Sequence, residues 1–162
     1  MVDQKLYRDA MARLGAAVNI ITTNGPGGKR GFTASAVCSV TDSPPTLLFC
    51  LNRTSDSNQA LKDNRVACIN VLSATHQHLS PVFAGMTPGD YDERFATAEW
   101  ATLPNGTLAL HGALVSFECR VVQVTEIGTH SVFFCEVDAV HGGDPGQALV
   151  YFARRYHSLE WT

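Results

Sequence analysis

Apolar residues near the start of the chain recur at helical spacing. Leu6, Tyr7, Ala10, Met11 and Leu14 share a face, and Gly15 stops the pattern as a helix-ending glycine does. From there the period shortens to two. "AAVNIITT" (16–23) predicts a strand and the turn-rich "NGPGGKRG" (24–31) a connection. "GFTASAVCSV" (31–40) predicts a second strand, paired with the first as a hairpin. Pro44 and Pro45 end it, because proline cannot continue a central ladder. The continuous apolar run "TLLFCLN" (46–52) predicts a strand buried on both faces, and "DSNQALKDN" (56–64) a short helix capped by Ser55 or Asp56. "RVACINVL" (65–72) reads as another buried strand, with Ser73 or Thr75 capping a short helix through "HQHLSPVFAG". Residues 86–107, including "MTPGDYDERF", read as a polar, solvent-facing loop. Two long runs, "ALVSFECRVVQVTEI" (113–127) and "SVFFCEVDAVHG" (131–142), predict strands joined through Gly128, Thr129 and His130. "ALVYF" (148–152) is a last short strand before "ARRYHSLEW".

Six or seven strands with few helices predict a mainly β fold, a closed or nearly closed barrel in a single domain over residues 1–162. Composition agrees: 45% hydrophobic and 17% charged residues suit a globular core rather than disorder. A net charge of −3 argues against nucleic-acid binding, which calls for a basic face. The first residues lack the apolar segment of a signal peptide, and no stretch approaches a membrane span. Cys38, Cys50, Cys68, Cys119 and Cys135 lie mostly in apolar runs without a C-x-x-C pair and read as reduced, buried small hydrophobes of a cytoplasmic protein.

Several chemistries lack their motifs. In the glycine-rich loop, Gly28-Lys29 is followed by Arg30 where a P-loop needs Ser or Thr, and Thr23 stands at the leading glycine position. Arg30 also replaces the third glycine of a dinucleotide fingerprint begun by Gly25 and Gly27. His76 and His78, two apart, fall on nearly opposite sides of a helix, and no Cys or carboxylate cluster completes a metal site. No nucleophile elbow is present.

The strand at 31–40 is unusual. Period two sorts Phe32, Ala34, Ala36, Cys38 and Val40 onto one face and Thr33, Ser35, Val37 and Ser39 onto the other. Almost nothing in it is large. Taken alone, it suits an edge strand with its polar face outward. Downstream, Asn52, Arg53, Thr54, Ser55, Ser57 and Asn58 cluster where a strand ends and a helix begins. A helix N-terminus offers free N–H groups and a positive dipole end, and hydroxyls plus an Arg complete an anion site. Capping needs only one such residue. Small side chains also let a flat ring approach the backbone. A flat ring with a phosphate tail describes a flavin nucleotide.

The run from "MARLGAAVNIITT" through "GFTASAVCSVTDSPPTLLFCLN", the later "IGTHSVFFCEV" and the terminal "LVYFARRYHSL" resemble the short-chain flavin reductases. These are FMN-binding split β-barrels of Greek-key type with a few short flanking helices, and serve as reductase components of two-component flavin monooxygenases. The resemblance runs from about Leu6 to Leu159 and is strongest toward the pyrimidine-catabolism reductases, with cobyrinate-reducing enzymes as relatives. It implies FMN or FAD as flavin and NADH or NADPH as donor. It implies that Thr33, Ala34, Ser35, Ala36, Val37, Cys38 and Ser39 line the ring and ribityl chain, with N–H groups near Val37 and Cys38 facing N5 and O4. Ser39, Asn52, Arg53, Ser57 and Asn58, with Cys50 and Leu51 beside them, then hold the ribityl hydroxyls and phosphate. Phe83, Ala84, Gly85, Arg94 and Phe95 close the site, while His130, Tyr151 and Tyr156 face the nicotinamide, His130 as the catalytic residue. Many relatives carry Asp before this histidine; here it is Thr129.

The implied reaction passes hydride from nicotinamide C4 to flavin N5 between stacked rings, so placement does most of the work and no paired carboxylates are needed. Asp92, Glu93 and Glu118 receive no catalytic role. Three readings stand side by side: a reductase supplying reduced flavin to a partner oxygenase, a flavoprotein reducing a cobalt corrinoid, and a non-enzymatic flavin carrier. The resemblance also implies a homodimer, in which Tyr151 and Tyr156 suit an interface as well as a nicotinamide groove.

Overall fold

The computed structural model describes residues 1–161. In chain order the elements are α1 (Gln4–Met11), β1 (Ala16–Ala17), β2 (Asn19–Thr23), β3 (Arg30–Ala34), β4 (Val37–Asp42), β5 (Pro45–Asn52) and α2 (Asp56–Asn64). Next come β6 (Val66–Val71), a 3-10 turn at Ala74–His76, α3 (Leu79–Phe83), α4 (Tyr91–Phe95), β7 (Trp100–Thr102) and β8 (Leu108–Leu110). The chain ends with β9 (Val115–Ile127), β10 (His130–Gly142), β11 (Ala148–Phe152) and β12 (Arg155–Leu159).

The largest sheet runs β3-β2-β6-β9-β10-β5-β4. Its two edge strands, β3 and β4, are consecutive in sequence with only Ser35 and Ala36 between them. A chain that short spans no more than about 10 Å from Ala34 to Val37, so the two edges must lie side by side. The seven strands therefore curl into a barrel. The corner is held by Ala36, whose carbonyl accepts from Cys50 N–H at 3.1 Å.

This corner corrects the expectation of one continuous strand over 31–40. Phe32 and Ala34 are buried, and after the corner Val37, not Ala36 or Cys38, packs toward the same core. Side-chain parity has slipped by one residue, so the two faces read from strict alternation do not persist. Only the first half pairs with the preceding strand, Asn19 opposite Ala34 through Thr23 opposite Arg30; the second half pairs with β5.

The barrel interior holds Ile21, Phe32, Phe49, Leu51, Ile69, Val121 and Phe133, with Leu61 of α2 plugging one end. Phe49 stacks on Phe133 at 5.1 Å. A second core lies outside the barrel wall, where Ile20, Leu72, Leu79, Phe83, Phe95, Leu110 and Leu149 pack together. Adjacent Ile20 and Ile21 thus serve different cores, and every residue of β2 is buried. In β5 the expected two-sided burial is halved: Leu47, Phe49 and Leu51 are buried, while Leu48 and Cys50 are only partly covered.

The segment expected as a solvent-facing loop contains α4 and β7 instead. Asp90 and Glu93 form a reciprocal capping box, each side chain accepting from the other's backbone N–H, which starts α4. Phe95 and Trp100 then close on Phe83, with ring centroids 5.1–5.5 Å apart. The N-terminal segment 16–23 breaks at Val18, so β1 joins β11 and β12 in a separate three-stranded sheet. The short helix predicted through 76–85 splits into the 3-10 turn and α3. Cys68, Cys119 and Cys135 are buried, Cys50 is partly so, and Cys38 is exposed, against its reading as a buried residue.

Gly31 lets β3 meet the outer core. A Cβ there would lie 2.9 Å from ring atoms of both Phe83 and Phe95. Gly31→Ala is therefore expected to lower stability by about 1–3 kcal/mol through overpacking, read as a lower urea midpoint with unchanged slope.

Candidate functional site

The end of β5 and the start of α2 build the floor of a groove of about 1000 Å³, lined by Arg30, Asn52, Arg53, Thr54, Ser55, Asp56, Asn58, Gln59, Lys62, Gly128 and Thr129. Asn52 turns the chain there, its Oδ1 accepting from Thr54 N–H and from Thr54 Oγ1, both at 2.9 Å. Ser55 caps α2 by accepting from Ser57 N–H at 3.3 Å. An adjoining cleft of about 400 Å³ continues past Thr33, Ser57, Phe83, Ala84, Gly85, Tyr91 and Arg94. Thr54, Ser55 and Asp56 line both, so the two form one surface around the helix N-terminus.

Tyr91 organises the wall of this cleft. Its hydroxyl lies 3.3 Å from Ser57 Oγ, and the guanidinium carbons of Arg30 and Arg94 lie 4.7 and 5.0 Å from its ring centroid. The Nε atoms of both arginines are buried and lack a hydrogen-bond partner among the described residues. Buried donors are normally satisfied. Two guanidiniums with orphaned donors beside a hydroxyl-rich helix start suit a phosphate, whose oxygens accept several charge-assisted hydrogen bonds. The residues present thus fit the phosphate end of a flavin nucleotide.

His130 directly follows Thr129 of the groove lining. It begins β10, directly opposite Asn52 of β5, and Arg53 N–H donates to Thr129 O at 2.9 Å. Thr129 Oγ1 lies 2.8 Å from His130 Nδ1, so this hydroxyl takes the place of the missing carboxylate as the ring's partner.

The expected site residues separate into groups. Asn52, Arg53, Ser57, Asn58, Thr33, Leu51, Phe83, Ala84, Gly85 and Arg94 come together around the groove and cleft, with His130 beside them. Ser35 and Ala36 line a different cavity of about 650 Å³, with α1, Tyr151 and Arg154. Cys38 and Ser39 lie exposed on edge strand β4, while Cys50 sits half-covered opposite Val132 of β10. An edge strand leaves some backbone N–H groups unpaired, as donors to a ring require. Val37 N–H, however, bonds to Ser35 O at 3.0 Å.

Several side chains are engaged in holding the frame. Asn58 is buried and its amide donates to Leu51 O, Asn52 O and Ser131 Oγ, which fixes the end of β5 against β10. Thr33 Oγ1 donates to Ser80 O at 2.7 Å, and Tyr156 OH to Ser80 Oγ at 2.8 Å. The rings of Phe83 and Phe95 belong to the outer core. Tyr151 stays partly exposed, 5.2 Å from Tyr156 between ring centroids. Sequence reasoning misses Arg30, Tyr91 and Lys62. Arg30, the first residue of β3, falls in a stretch that reads as a loop without a ligand motif, and Tyr91 in a polar segment, although the Asp90/Glu93 spacing of a capping box marks a helix start there.

The sequence pattern of the flavin reductase like domain matches residues 11–160, and the chain belongs to that family. It is 55% identical over 161 residues to FMN reductase (NADH) RutF of Ancylobacter novellus, covering 99% of this chain and 88% of that one. It is 54% identical over 159 residues to the protein of the same name from Escherichia coli K12, covering 98% and 96%. Among solved structures it is similar to BorF, the flavin reductase component of a bacterial two-component tryptophan halogenase. That likeness has a TM-score of 0.90 at 26% identity, over 99% of this chain and all of the other. The fold is thus the split barrel of the flavin reductases.

Glu126, at the end of β9, ties the groove together. Its Oε1 lies 2.6 Å from Lys62 Nζ, and its Oε2 lies 3.1 Å from Arg53 Nε and accepts from Ser131 Oγ at 2.8 Å. Lys62 chiefly, then Ser131 and Arg53, hold this carboxyl below its ordinary value of 4.5. A group whose folded value is depressed contributes stability above its unfolded value and loses it as pH falls through the folded one. Acid unfolding of the wild type is therefore expected to steepen below about pH 4.5. Glu126→Gln should show a shallower slope there; equal slopes in parallel urea titrations would count against this account.

Proposed function

We infer that the protein is an NADH-dependent flavin reductase that uses FMN and hands reduced flavin to a partner oxygenase. The observation that carries this is the α2 start flanked, across the joined groove and cleft, by two guanidiniums with orphaned buried Nε atoms, with His130 standing opposite Asn52 of the groove lining. Relatives at 54–55% identity named FMN reductase (NADH) support the choice of flavin and donor.

The bound flavin supplies a ring that accepts hydride from the nicotinamide. The chain supplies position and field. Arg30 and Arg94 bind the phosphate, with Ser55 and Ser57 at the helix start beside it. Small residues from Thr33 to Ser39 leave room beside the β3–β4 corner for a flat ring. His130, steadied by Thr129, flanks the nicotinamide side, and Tyr151 and Tyr156 supply aromatic faces. Residues 1–162 form one functional unit in this reading. Five unpaired thiols and the lack of any described helix long and apolar enough to cross a membrane are in keeping with a cytoplasmic setting.

A homodimer belongs to the same reading. α1 buries none of its residues, yet Leu6 and Leu14 are each 63% exposed and Tyr7 is 58% exposed. Met11 and Tyr151 continue this apolar surface around the 650 Å³ cavity beside Ser35 and Ala36. A second copy laid over it would cover the apolar side chains and close the corner where the ring is placed.

Four outcomes are expected. NADH oxidation by purified protein saturates with added FMN; no oxidation with FMN, FAD or riboflavin would sink the reading. Arg94→Ala raises the KM for FMN about tenfold or more, whereas His130→Ala slows hydride transfer at least about tenfold with flavin affinity retained. Light scattering gives a dimer mass that Leu14→Asp reduces toward a monomer; a wild-type monomer mass would remove the second copy.

A further inference from the structure

The cations around the groove form two unequal sets. Arg30 and Arg94 stack on Tyr91, and neither makes an ion pair among the described residues. Arg53 and Lys62 face the same groove from the end of β5 and the last turn of α2. Both are held by one carboxylate, Glu126, at 3.1 and 2.6 Å. Ser131 fixes that carboxylate from β10, and Gly128 O accepts from Arg53 Nη1 at 3.3 Å, so the pair is braced on both sides. Asp56 adds another negative charge to the same lining. One end of the groove is cationic and open to an anion; the other is neutralised by the protein itself.

We propose that Glu126 sets the phosphate selectivity of the groove, excluding ligands that carry a phosphoryl group beyond those of FMN and NADH. The proposal rests on the flavin reductase reading. To hold an added phosphate, Arg53 or Lys62 must leave Glu126, and the phosphate must then sit beside an unpaired carboxylate. Both steps oppose binding, and the second is repulsion directed against the wrong ligand. The excluded group is the added phosphate in the pyrophosphate of a flavin dinucleotide or the 2′-phosphate monoester of a phosphorylated nicotinamide nucleotide; both present anionic phosphoryl oxygens, the monoester with the greater charge. Glu126 acts through Arg53 and Lys62 and is a positioning residue.

The test is initial-rate kinetics of the full chain with NADH or NADPH as donor and FMN or FAD as acceptor. Glu126→Gln, nearly isosteric and still able to accept from Ser131, is expected to lower the KM for NADPH relative to NADH, or for FAD relative to FMN, by about tenfold. Whichever ratio moves identifies the source of the excluded phosphate. The gain should disappear at high ionic strength, which a purely structural effect would not do. Glu126→Asp, which keeps the charge, retains the wild-type ratios. Lys62→Gln moves the same ratio the opposite way, because Glu126 is then less compensated. If both ratios stay within about twofold of wild type in Glu126→Gln and Lys62→Gln, or only kcat falls, the proposal is overturned. Should Glu126→Gln fail to fold, judged by its thermal midpoint, an unchanged ratio in Lys62→Gln overturns it alone. A wild type that fails to oxidise NADH whichever flavin is added overturns the reductase reading, and this inference with it.

Discussion

Two residues, Ser35 and Ala36, must carry the chain from one edge of a seven-stranded sheet to the other. That constraint closes the barrel and sets where the groove walls stand. With the edges brought together, β5 lies one strand from the seam, and its end and the α2 start form a wall rather than an open margin. Large side chains at the corner would have to enter either the barrel core or the cavity beside Tyr151 and α1. Small ones leave both free. The composition that looks wasteful in a strand is what a sharp corner beside a ligand surface requires.

Around that frame, polar side chains are divided between holding and binding. Asn58, Thr33 and Ser131 commit their hydrogen bonds to joining β5, β10, β3 and α3, so the groove walls are rigid where they meet. Arg30 and Arg94 keep buried donors in reserve. Stacking of both on the ring of Tyr91 offsets part of the cost of bringing like charges together. The opposite end of the groove has its cations already paired with Glu126. Anion affinity is thereby concentrated at one place, and a groove of about 1000 Å³ need not bind every phosphate that fits it.

Much of the architecture was legible along the chain. The strands at 46–52, 65–72 and 113–142 and the helix at 56–64 arise from apolar runs and from Ser55 as a cap. The Asn/Ser cluster after β5 marked the helix start that forms the groove floor. Family likeness, and not periodicity, pointed to His130 and Arg94. What escaped were features that local pattern cannot encode. Strict alternation through 31–40 runs straight across a corner that reverses it. The polarity of residues 86–107 hid Phe95 and Trp100, whose burial depends on Phe83 from another segment.

By itself, then, the sequence determined most of the longer strands, where α2 begins, and that small and hydroxyl-bearing residues gather near it. Those features come from period, propensity and capping, which act within a few residues. Only the tertiary structure decided that Arg30 and Arg94 share the ring of Tyr91, that Glu126 restrains both Arg53 and Lys62, and that His130 stands opposite Asn52. Each of these joins residues far apart in the chain. They meet because sheet register and barrel closure put them there, and neither is written in any short stretch of residues.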